Sequence, residues 1–184
     1  MKTIFILLTL FFTSKEFMAH TTQQSSDFKM FSPAFVDQGM LTENQTCTKI
    51  GKNLSPELSW TFPPANTKTF ALVCNDPDAP SGNFIHWIYF NLPASVVHLE
   101  EGTDRTPTFP NGSQQGINSF GRIGYDGPCP PPGKPHHYIF TLYALDTRLN
   151  LDQAADFNAL RNAMKGHILG QIQITGLYQS GKYK

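Results

Sequence analysis

The sequence predicts a mainly β domain in which short strands are joined by turns. Charged residues make up only 15% of the 184 residues, whereas glycine and proline number 14 each and phenylalanine 15. Aromatic residues favour strands, and glycine and proline favour turns over helices. A chain of this length is normally one domain with its own core. We therefore expect a single β domain over residues 28–184.

Apolar runs and alternating patterns predict six strands. In chain order they lie at residues 28–35, 58–62, 69–75, 85–92, 138–145 and 168–178. The first contains Pro33, which is typical of a strand at the edge of a sheet. The second alternates apolar and polar side chains, as a half-buried strand does, and is closed by two prolines at 63 and 64.

Two segments between these strands are not predicted to be strands themselves. Residues 99–119 are polar and rich in turn signals, which predicts a long surface connection; a loop of this length is usually functional or packed on itself. Residues 151–165 predict the only convincing helix, with Asn150 or Asp152 as its N-cap and Gly166 at its C-terminal end. Its apolar residues recur near helical spacing, so we expect an amphipathic helix that covers a sheet.

The first residues resemble an export signal. Lys2 precedes an apolar run at residues 4–12, which is too short to span a bilayer. Ala19 suits the last position of a signal, although Phe17 stands where a small residue is usual, so an uncleaved hydrophobic arm is the alternative. We expect residues 1–19 to be an export signal, residues 20–27 to be flexible, and the protein to be periplasmic or secreted.

The chain has three cysteines, and export makes a disulfide possible. Cys47 and Cys129 both lie in loop contexts, and we predict that they pair. Cys74 ends the apolar run at residues 69–75 and is predicted to be a buried free thiol.

The charge balance excludes one class of partner. Lysine and arginine together number 14, and so do aspartate and glutamate, so the formal net charge is zero. A protein that binds duplex nucleic acid needs a basic surface to neutralise phosphates. We therefore expect no nucleic-acid partner.

Two stretches combine proline-rich turns with polar side chains at strand spacing. The first begins Asp76-Pro77-Asp78-Ala79-Pro80 and reaches His86; the second begins Gly124-Tyr125-Asp126-Gly127-Pro128 and reaches His136-His137-Tyr138. Residues two apart on a strand share a face, so His136 and Tyr138 should point the same way and His137 the other way. Either stretch alone is weak evidence for a site, but the two together predict one small cavity.

The predicted cavity suits a tetrahedral anion such as phosphate. His86, His136 and Tyr138 would donate hydrogen bonds, and the amide of Gly127 would approach the ligand without a side chain in the way. Asp76 and Asp78 at the edge would hold an imidazole N–H and favour the imidazolium form. Pro128 and the prolines after it would stiffen the wall.

The two stretches resemble the signature regions of the phosphatidylethanolamine-binding protein family. Residues 53–60 and 164–169 are also similar to that family, and the Pro-Cys-Pro-Pro form at residues 128–131 resembles its bacterial, Raf-kinase-inhibitor-like branch. The resemblance extends from about residue 28 to residue 178. It implies an antiparallel β-sandwich with a few short peripheral helices, one of them near the C-terminus.

The resemblance also implies a pocket and a kind of function. Carried over residue by residue, the ligand-binding set is Asp76, Asp78, His86, Gly127, Pro128, His136 and Tyr138. Family members bind phosphate-like groups and phospholipid headgroups, and some inhibit kinases or proteases or act as signalling scaffolds. A headgroup ligand would allow peripheral contact with a membrane.

Our leading hypothesis is a non-enzymatic, cofactor-free binding protein for phosphate or phosphorylated headgroups, which acts as an inhibitor or signalling modulator with an unidentified protein partner. One alternative is a metal-dependent hydrolase that uses the Asp and His cluster. Another is a protein-interaction module that acts through residues 99–119. The sequence contains no nucleophile elbow and no phosphate-cradling glycine loop, so we expect no catalytic residues and no enzyme.

Overall fold

The computed structural model describes residues 27–181, which form two β-sheets. The larger sheet has six strands in the order β2-β9-β8-β4-β5-β7, and the smaller has three in the order β1-β3-β6. In chain order the strands are β1 (Lys29–Phe31), β2 (Gly39–Met40), β3 (Leu58–Thr61), β4 (Thr69–Asp76), β5 (Phe84–Pro93), β6 (His98–Leu99), β7 (Gln114–Gln115), β8 (His136–Leu145) and β9 (Ile168–Tyr178). The mainly β fold predicted from the sequence is confirmed, and each of the six predicted strands is present.

Strand β4 lies at the centre of the larger sheet and is covered on both faces. Phe70 and Leu72 pack into the core between the two sheets, whereas Ala71 and Val73 pack into a second apolar cluster on the other face. Burial on both faces explains why this strand is a continuous apolar run instead of an alternating one.

The smaller sheet covers one face of the larger. In β3 the side chains of Leu58 and Trp60 are buried and Ser59 and Thr61 are half-buried, as the alternating pattern predicted. The Trp60 and Phe70 rings meet edge to face with centroids 5.4 Å apart, which joins the two sheets. The predicted first strand is also at an edge of its sheet, but it stops at Phe31, before Pro33.

The helix is shorter than predicted. Helix α1 is Phe157–Ala163, and its N-cap is Asp156, whose carboxylate accepts a hydrogen bond from the Ala159 amide at 2.8 Å. The prediction of a helix over residues 151–165 was therefore wrong at both ends. The preceding residues use their backbone elsewhere, because the Ala155 carbonyl accepts a hydrogen bond from the Ile117 amide at 3.1 Å and Ala154 has a φ of 69°.

The predicted role of the helix is confirmed. Leu160 is fully buried and Met164 nearly so, and both pack into the second apolar cluster beneath β4 and β5. Gly166 follows the helix with a φ of 80°, a backbone conformation that favours glycine at a helix end.

We predicted that residues 99–119 form a surface connection, but part of this segment is buried. Its second half contains β7, which pairs with β5, and Ser113 and Gln115 are fully buried. The indole N–H of Trp87 donates to the Gln115 side chain at 2.6 Å, and that side chain donates to two carbonyls of its own loop. Buried polar side chains thus tie the loop to the sheet and to itself.

The cysteine predictions are confirmed. Cys47 and Cys129 form a disulfide with Cα atoms 5.7 Å apart, within the normal range, and Cys74 is a fully buried free thiol. Burial, and then the charge of Asp76, raise the pKa of the Cys74 thiol well above its ordinary value.

The predicted export signal at residues 1–19 lies outside the described residues, as does almost all of the predicted flexible segment 20–27. Among residues 27–181, no helix has the length and apolar character needed to cross a membrane.

The disulfide joins residues 82 positions apart, so it restricts a long loop of the unfolded chain. We expect its reduction to lower the free energy of unfolding by about 2–4 kcal/mol. Urea titrations with and without reductant measure the change, and a variant with both Cys47 and Cys129 replaced by serine should not respond to reductant. An unfolding midpoint that reductant leaves unchanged in the native sequence would contradict this expectation.

Candidate functional site

A small cavity lies where the two proline-rich corners meet, with a volume of about 160 Å³. Its polar side chains are Asp76, Ser81, His86, His136 and Tyr138. Its remaining walls are Ala79, Pro80, Phe84, Phe120, Cys129, Pro130 and Pro131. The structure therefore brings four of the seven predicted site residues together around one space.

Sheet pairing explains this convergence. Strand β4 pairs antiparallel with both β5 and β8, so the end of β4 lies beside the beginnings of the other two strands. Asp76 ends β4, His86 is the third residue of β5, and His136 begins β8. Residues that are far apart in sequence thus meet at one edge of the sheet.

Asp76 orients the first histidine. Nδ1 of His136 donates to Asp76 Oδ2 at 2.8 Å, and the other carboxylate oxygen accepts the backbone amide of Asp78 at 2.8 Å. The side chains of both Asp76 and His136 are buried. One carboxylate therefore holds the imidazole and also shapes the turn that follows β4.

Asp78 does not line the cavity, contrary to our prediction. Its carboxylate accepts hydrogen bonds from the backbone amide of His137 at 2.9 Å and from Nδ1 of His137 at 2.7 Å, on the exposed side of β8. These bonds, the side-chain bond first, lower the pKa of Asp78 below its ordinary value. His137 faces away from the cavity, as predicted, and together the two residues fasten the first corner to β8.

His86 is held from the other side. Its Nδ1 lies 2.5 Å from the carbonyl oxygen of Asp126, which can only accept a hydrogen bond, so this ring nitrogen carries the proton. Three aromatic rings surround the imidazole, with centroids 5.3 Å away for Phe84, 5.7 Å for Phe120 and 5.1 Å for Tyr138.

The enclosure of His86 changes its charge state. The side chain is 3% exposed, and burial lowers its pKa below the ordinary 6.5, even though the Asp126 carbonyl and nearby carboxylates act in the opposite direction. The carboxylates therefore favour imidazolium at His86, as we expected, but burial outweighs them and His86 is neutral at neutral pH.

The Tyr138 hydroxyl is a buried polar group of the site that lies near the Asp76 carboxylate. The residue is 1% exposed, and its hydroxyl oxygen makes no hydrogen bond with the described residues. Burial, and then the charge of Asp76, raise the pKa of Tyr138 well above its ordinary value. The phenol therefore stays protonated, and its O–H can donate a hydrogen bond to a bound group.

Gly127 and Pro128 stand behind the wall and do not line the cavity, contrary to our prediction. The Gly127 amide already donates to Asn53 Oδ1 at 2.6 Å, so it is not free to bind a ligand. The backbone of Gly127 packs so closely against the Gln45 carbonyl that any side chain would collide with it, which explains why this residue is glycine. The Pro128 carbonyl accepts the amide of Cys47 at 3.1 Å, beside the disulfide.

Sequence reasoning missed the group that organises the second corner. Asp126 is 1% exposed, and its carboxylate binds Arg105 through two bonds, of 2.8 and 3.0 Å, and Arg122 through two bonds, of 2.8 and 3.1 Å. Asn118 and Asn53 donate to the same carboxylate at 2.7 and 3.1 Å. Burial by itself raises the pKa of Asp126, but the hydrogen bonds from Arg105 and the two asparagines outweigh it and lower the pKa below its ordinary value.

A signal for Asp126 existed, since an aspartate stands between Tyr125 and Gly127 in the second motif. Two of its partners, Arg122 and Asn118, lie four and eight residues before it, whereas Arg105 and Asn53 lie 21 and 73 residues away, where no local pattern indicates a contact.

Comparison with known proteins gives consistent results. The sequence model of the phosphatidylethanolamine-binding protein family matches residues 31–179. A UPF0098 protein of Methanothermobacter thermautotrophicus is 47% identical over 148 residues, which cover 80% of this chain and 96% of the relative. The UPF0098 protein YbhB of Escherichia coli is 40% identical over 131 residues, which cover 70% of this chain and 83% of the relative.

Solved structures agree with the sequence relatives. The crystal structure of Escherichia coli YbcL, described as a member of the mammalian phosphatidylethanolamine-binding protein family, has a TM-score of 0.78 and 33% identity, covering 84% of this chain and 99% of that chain. A phosphatidylethanolamine-binding protein homologue from Chlamydia trachomatis has a TM-score of 0.76 and 34% identity, covering 85% of this chain and 100% of that chain.

The Asp126 clamp leads to a stability prediction. Asp126→Asn removes the negative charge and leaves two arginines without their partner, so we expect the free energy of unfolding to fall by about 3 kcal/mol at neutral pH. Asp146→Asn is the matched control, because Asp146 makes an exposed pair with His167 and should change the value by less than about 1 kcal/mol. Urea unfolding measures both, and equal effects would contradict the assigned role.

The same clamp leads to a pH prediction. The folded-state pKa of Asp126 is below its ordinary 3.8, so its contribution to stability is present above about pH 4 and is lost as the pH falls through the folded-state pKa. Thermal unfolding between neutral pH and pH 3 should therefore show a smaller acid loss in Asp126→Asn than in the native sequence. Parallel curves for the two proteins would show that the carboxylate is not stabilised in the fold.

Proposed function

The chain belongs to the phosphatidylethanolamine-binding protein family, and on that premise we propose that it is a non-enzymatic protein that binds a phosphate-like oxyanion in the cavity between its two corners. The oxyanion can be free phosphate or part of a phosphorylated headgroup. In the second case the rim of the cavity would contact a membrane surface peripherally.

One observation carries the proposal: the Tyr138 hydroxyl is buried, has no partner among the described residues, and belongs to the lining of the cavity. A buried donor without a partner is rare in native proteins, because it costs roughly 1–3 kcal/mol. A ligand oxygen in the cavity would supply the missing acceptor. The two histidines on either side present further polar atoms to the same ligand.

The size and walls of the cavity support a small polar ligand. A volume of about 160 Å³ is well below that of typical drug-sized pockets, so it suits one phosphate-sized group. Phe84, Phe120 and the prolines make most of the wall apolar, and a hydrogen bond made beside apolar groups is stronger than one made in water. Phe120 is partly exposed at 39% and would lie beside whatever carries the oxyanion.

The contacts of the site favour binding over catalysis. The hydrogen bonds of the two imidazoles run to the Asp126 carbonyl and the Asp76 carboxylate, and neither ring is hydrogen-bonded to a hydroxyl or thiol nucleophile among the described residues. Cys74 is fully buried with a raised pKa, which makes it a poor nucleophile. In residues 27–181, no three His, Cys, Asp or Glu side chains are placed to hold a metal ion, so we do not propose the hydrolase.

We propose further that the protein acts after export, as an inhibitor or signalling modulator. The Cys47–Cys129 disulfide supports export, because such bonds persist in oxidising compartments. An inhibitor acting through residues 99–119 alone is less well supported, because much of that loop is committed to internal hydrogen bonds.

Tyr138→Phe tests the proposal. Because the hydroxyl makes no hydrogen bond within the described chain, its removal should leave the free energy of unfolding within about 1 kcal/mol of the native value or raise it. The same change should weaken inorganic phosphate binding, measured by titration calorimetry, by roughly five- to tenfold.

Tyr143→Phe is the control, since Tyr143 is on the same strand but does not line the cavity. Native phosphate affinity in Tyr138→Phe, or equal losses in both variants, would argue against the proposed site.

A further inference from the structure

A second cleft, with an apolar lining, lies beside the second half of β5, whose first residues line the cavity. It has a volume of about 430 Å³ and shares no lining residue with the cavity. Its apolar lining consists of Tyr89, Leu92, Val96, Leu99 and Phe109. Val96 and Phe109 are only half-buried, so they give the cleft exposed apolar surface. A cleft of this volume is within the range of pockets that bind a ligand.

One wall of this cleft carries negative charge. Glu100, Glu101 and Asp104 line the cleft, and all three are exposed. Within the described chain, the lining includes neither lysine nor arginine. The neighbouring Arg105 does not neutralise the wall, because its guanidinium is bound to the Asp126 carboxylate. The cleft therefore has a local excess of negative charge, although the formal net charge of the whole chain is zero.

The carboxylates of this wall keep oxygens that can accept further hydrogen bonds. One oxygen of Glu101 accepts from the Gln45 side chain at 2.8 Å, and one oxygen of Glu100 lies 3.1 Å from Nε2 of His98. The Asp104 side chain makes neither an ion pair nor a hydrogen bond with residues 27–181. An ionised carboxylate has about four acceptor sites, so each of the three can bind an added cationic group.

The backbone of the charged wall is held in place from behind. The Ser55 carbonyl accepts the amide of Gly102 at 2.9 Å, and the Ser55 hydroxyl accepts the amide of Thr103 at 2.9 Å. The Gln115 side chain donates to the Asp104 carbonyl at 2.7 Å. A wall that is ordered before binding costs a ligand less to occupy. The internal hydrogen bonds of the loop thus shape one side of the cleft and leave its carboxylates free.

We propose that this cleft docks a positively charged, extended segment of a partner protein, in which an apolar side chain stands next to lysine or arginine. The apolar side chain would cover Val96 and Phe109, and the cationic side chains would reach the carboxylates of the wall. Complementary charge across an interface speeds association and disfavours partners of like charge. This docking does not depend on the oxyanion cavity, because the two clefts share no residue.

The spread of the carboxylates favours a chain segment over a single cation. Among the described residues, no three carboxylates or imidazoles come together in a way that could hold a metal ion. The three acidic side chains are instead distributed over residues 100–104. Several separated charges match several cationic groups along an extended chain, whose successive side chains point to opposite faces.

Peptide binding to the native protein tests the docking cleft. The probe is a short, fluorescently labelled peptide of alternating lysine and leucine, measured by fluorescence anisotropy at neutral pH and physiological ionic strength. Replacing its leucines by serine keeps the charge and should weaken binding by about tenfold or more, because the apolar contact is lost. Replacing its lysines by glutamate should abolish binding, because like charges then face each other.

A double variant of the wall tests the residues themselves. Glu100→Gln combined with Asp104→Asn should weaken the lysine–leucine peptide by about three- to tenfold, since each exposed ion pair contributes modestly. Asp146→Asn combined with Asp152→Asn is the matched control, because it removes the same charge from outside the cleft. The control should stay within about twofold of the native affinity, because distant exposed charges are screened at this ionic strength.

Four results would overturn the docking proposal. The native protein could fail to bind the lysine–leucine peptide, or could bind the serine peptide equally well. Equal losses in the wall variant and its control would show general attraction to acidic groups. Displacement of the peptide by hexylamine at a comparable concentration would show that the cleft holds a small amine instead of a chain segment.

Phosphate titrations on the same proteins separate this surface from the oxyanion cavity. The wall variant should keep the native phosphate affinity, and Tyr138→Phe should keep the native peptide affinity, because neither change touches the other site. Failure of one binding activity therefore leaves the other open to measurement.

Discussion

The buried carboxylate of Asp126 is the interaction on which the second corner of this protein depends. Two arginines and two asparagines converge on it, two of them from the residues just before it and two from distant parts of the chain. A buried charge is stable only when its oxygens are hydrogen-bonded. Removing one partner of a buried ion pair destabilises a protein strongly, whereas replacing the whole pair by apolar residues is often neutral. The clamp therefore holds its whole loop in one arrangement.

That arrangement matters because the backbone of the same residue reaches the site. The backbone carbonyl of Asp126 accepts a hydrogen bond from Nδ1 of His86. The Asp126 carboxylate fixes the position of that carbonyl, so it orients the imidazole without entering the cavity. On the other side, Asp76 does the same for His136 with its own carboxylate. The two histidines are thus held by groups of different chemistry, a neutral carbonyl and a charged carboxylate, from opposite walls.

Several motif residues that suggest ligand chemistry serve the architecture instead. Asp78 fastens the first corner to His137, and Gly127 allows its backbone to pack against Gln45. The disulfide at Cys129 ties the proline wall to the loop around Cys47. With the walls held from behind, the cavity has only a few polar atoms of its own, and their directions determine what it can bind.

The fold class, the approximate position of each predicted strand and the two stretches that form the site could be predicted from the sequence, because apolar periodicity and turn chemistry are local properties. The disulfide could be predicted because two of the three cysteines lie in loops and the third ends an apolar strand. The helix boundary could not be read from periodicity, since the Ala155 carbonyl is engaged by a residue almost forty positions earlier. The three-dimensional fold was needed to show which motif residues face the cavity and which oxygen holds Nδ1 of each imidazole. Those properties depend on hydrogen-bond partners that are distant in sequence, and no local pattern of residues specifies a partner's direction.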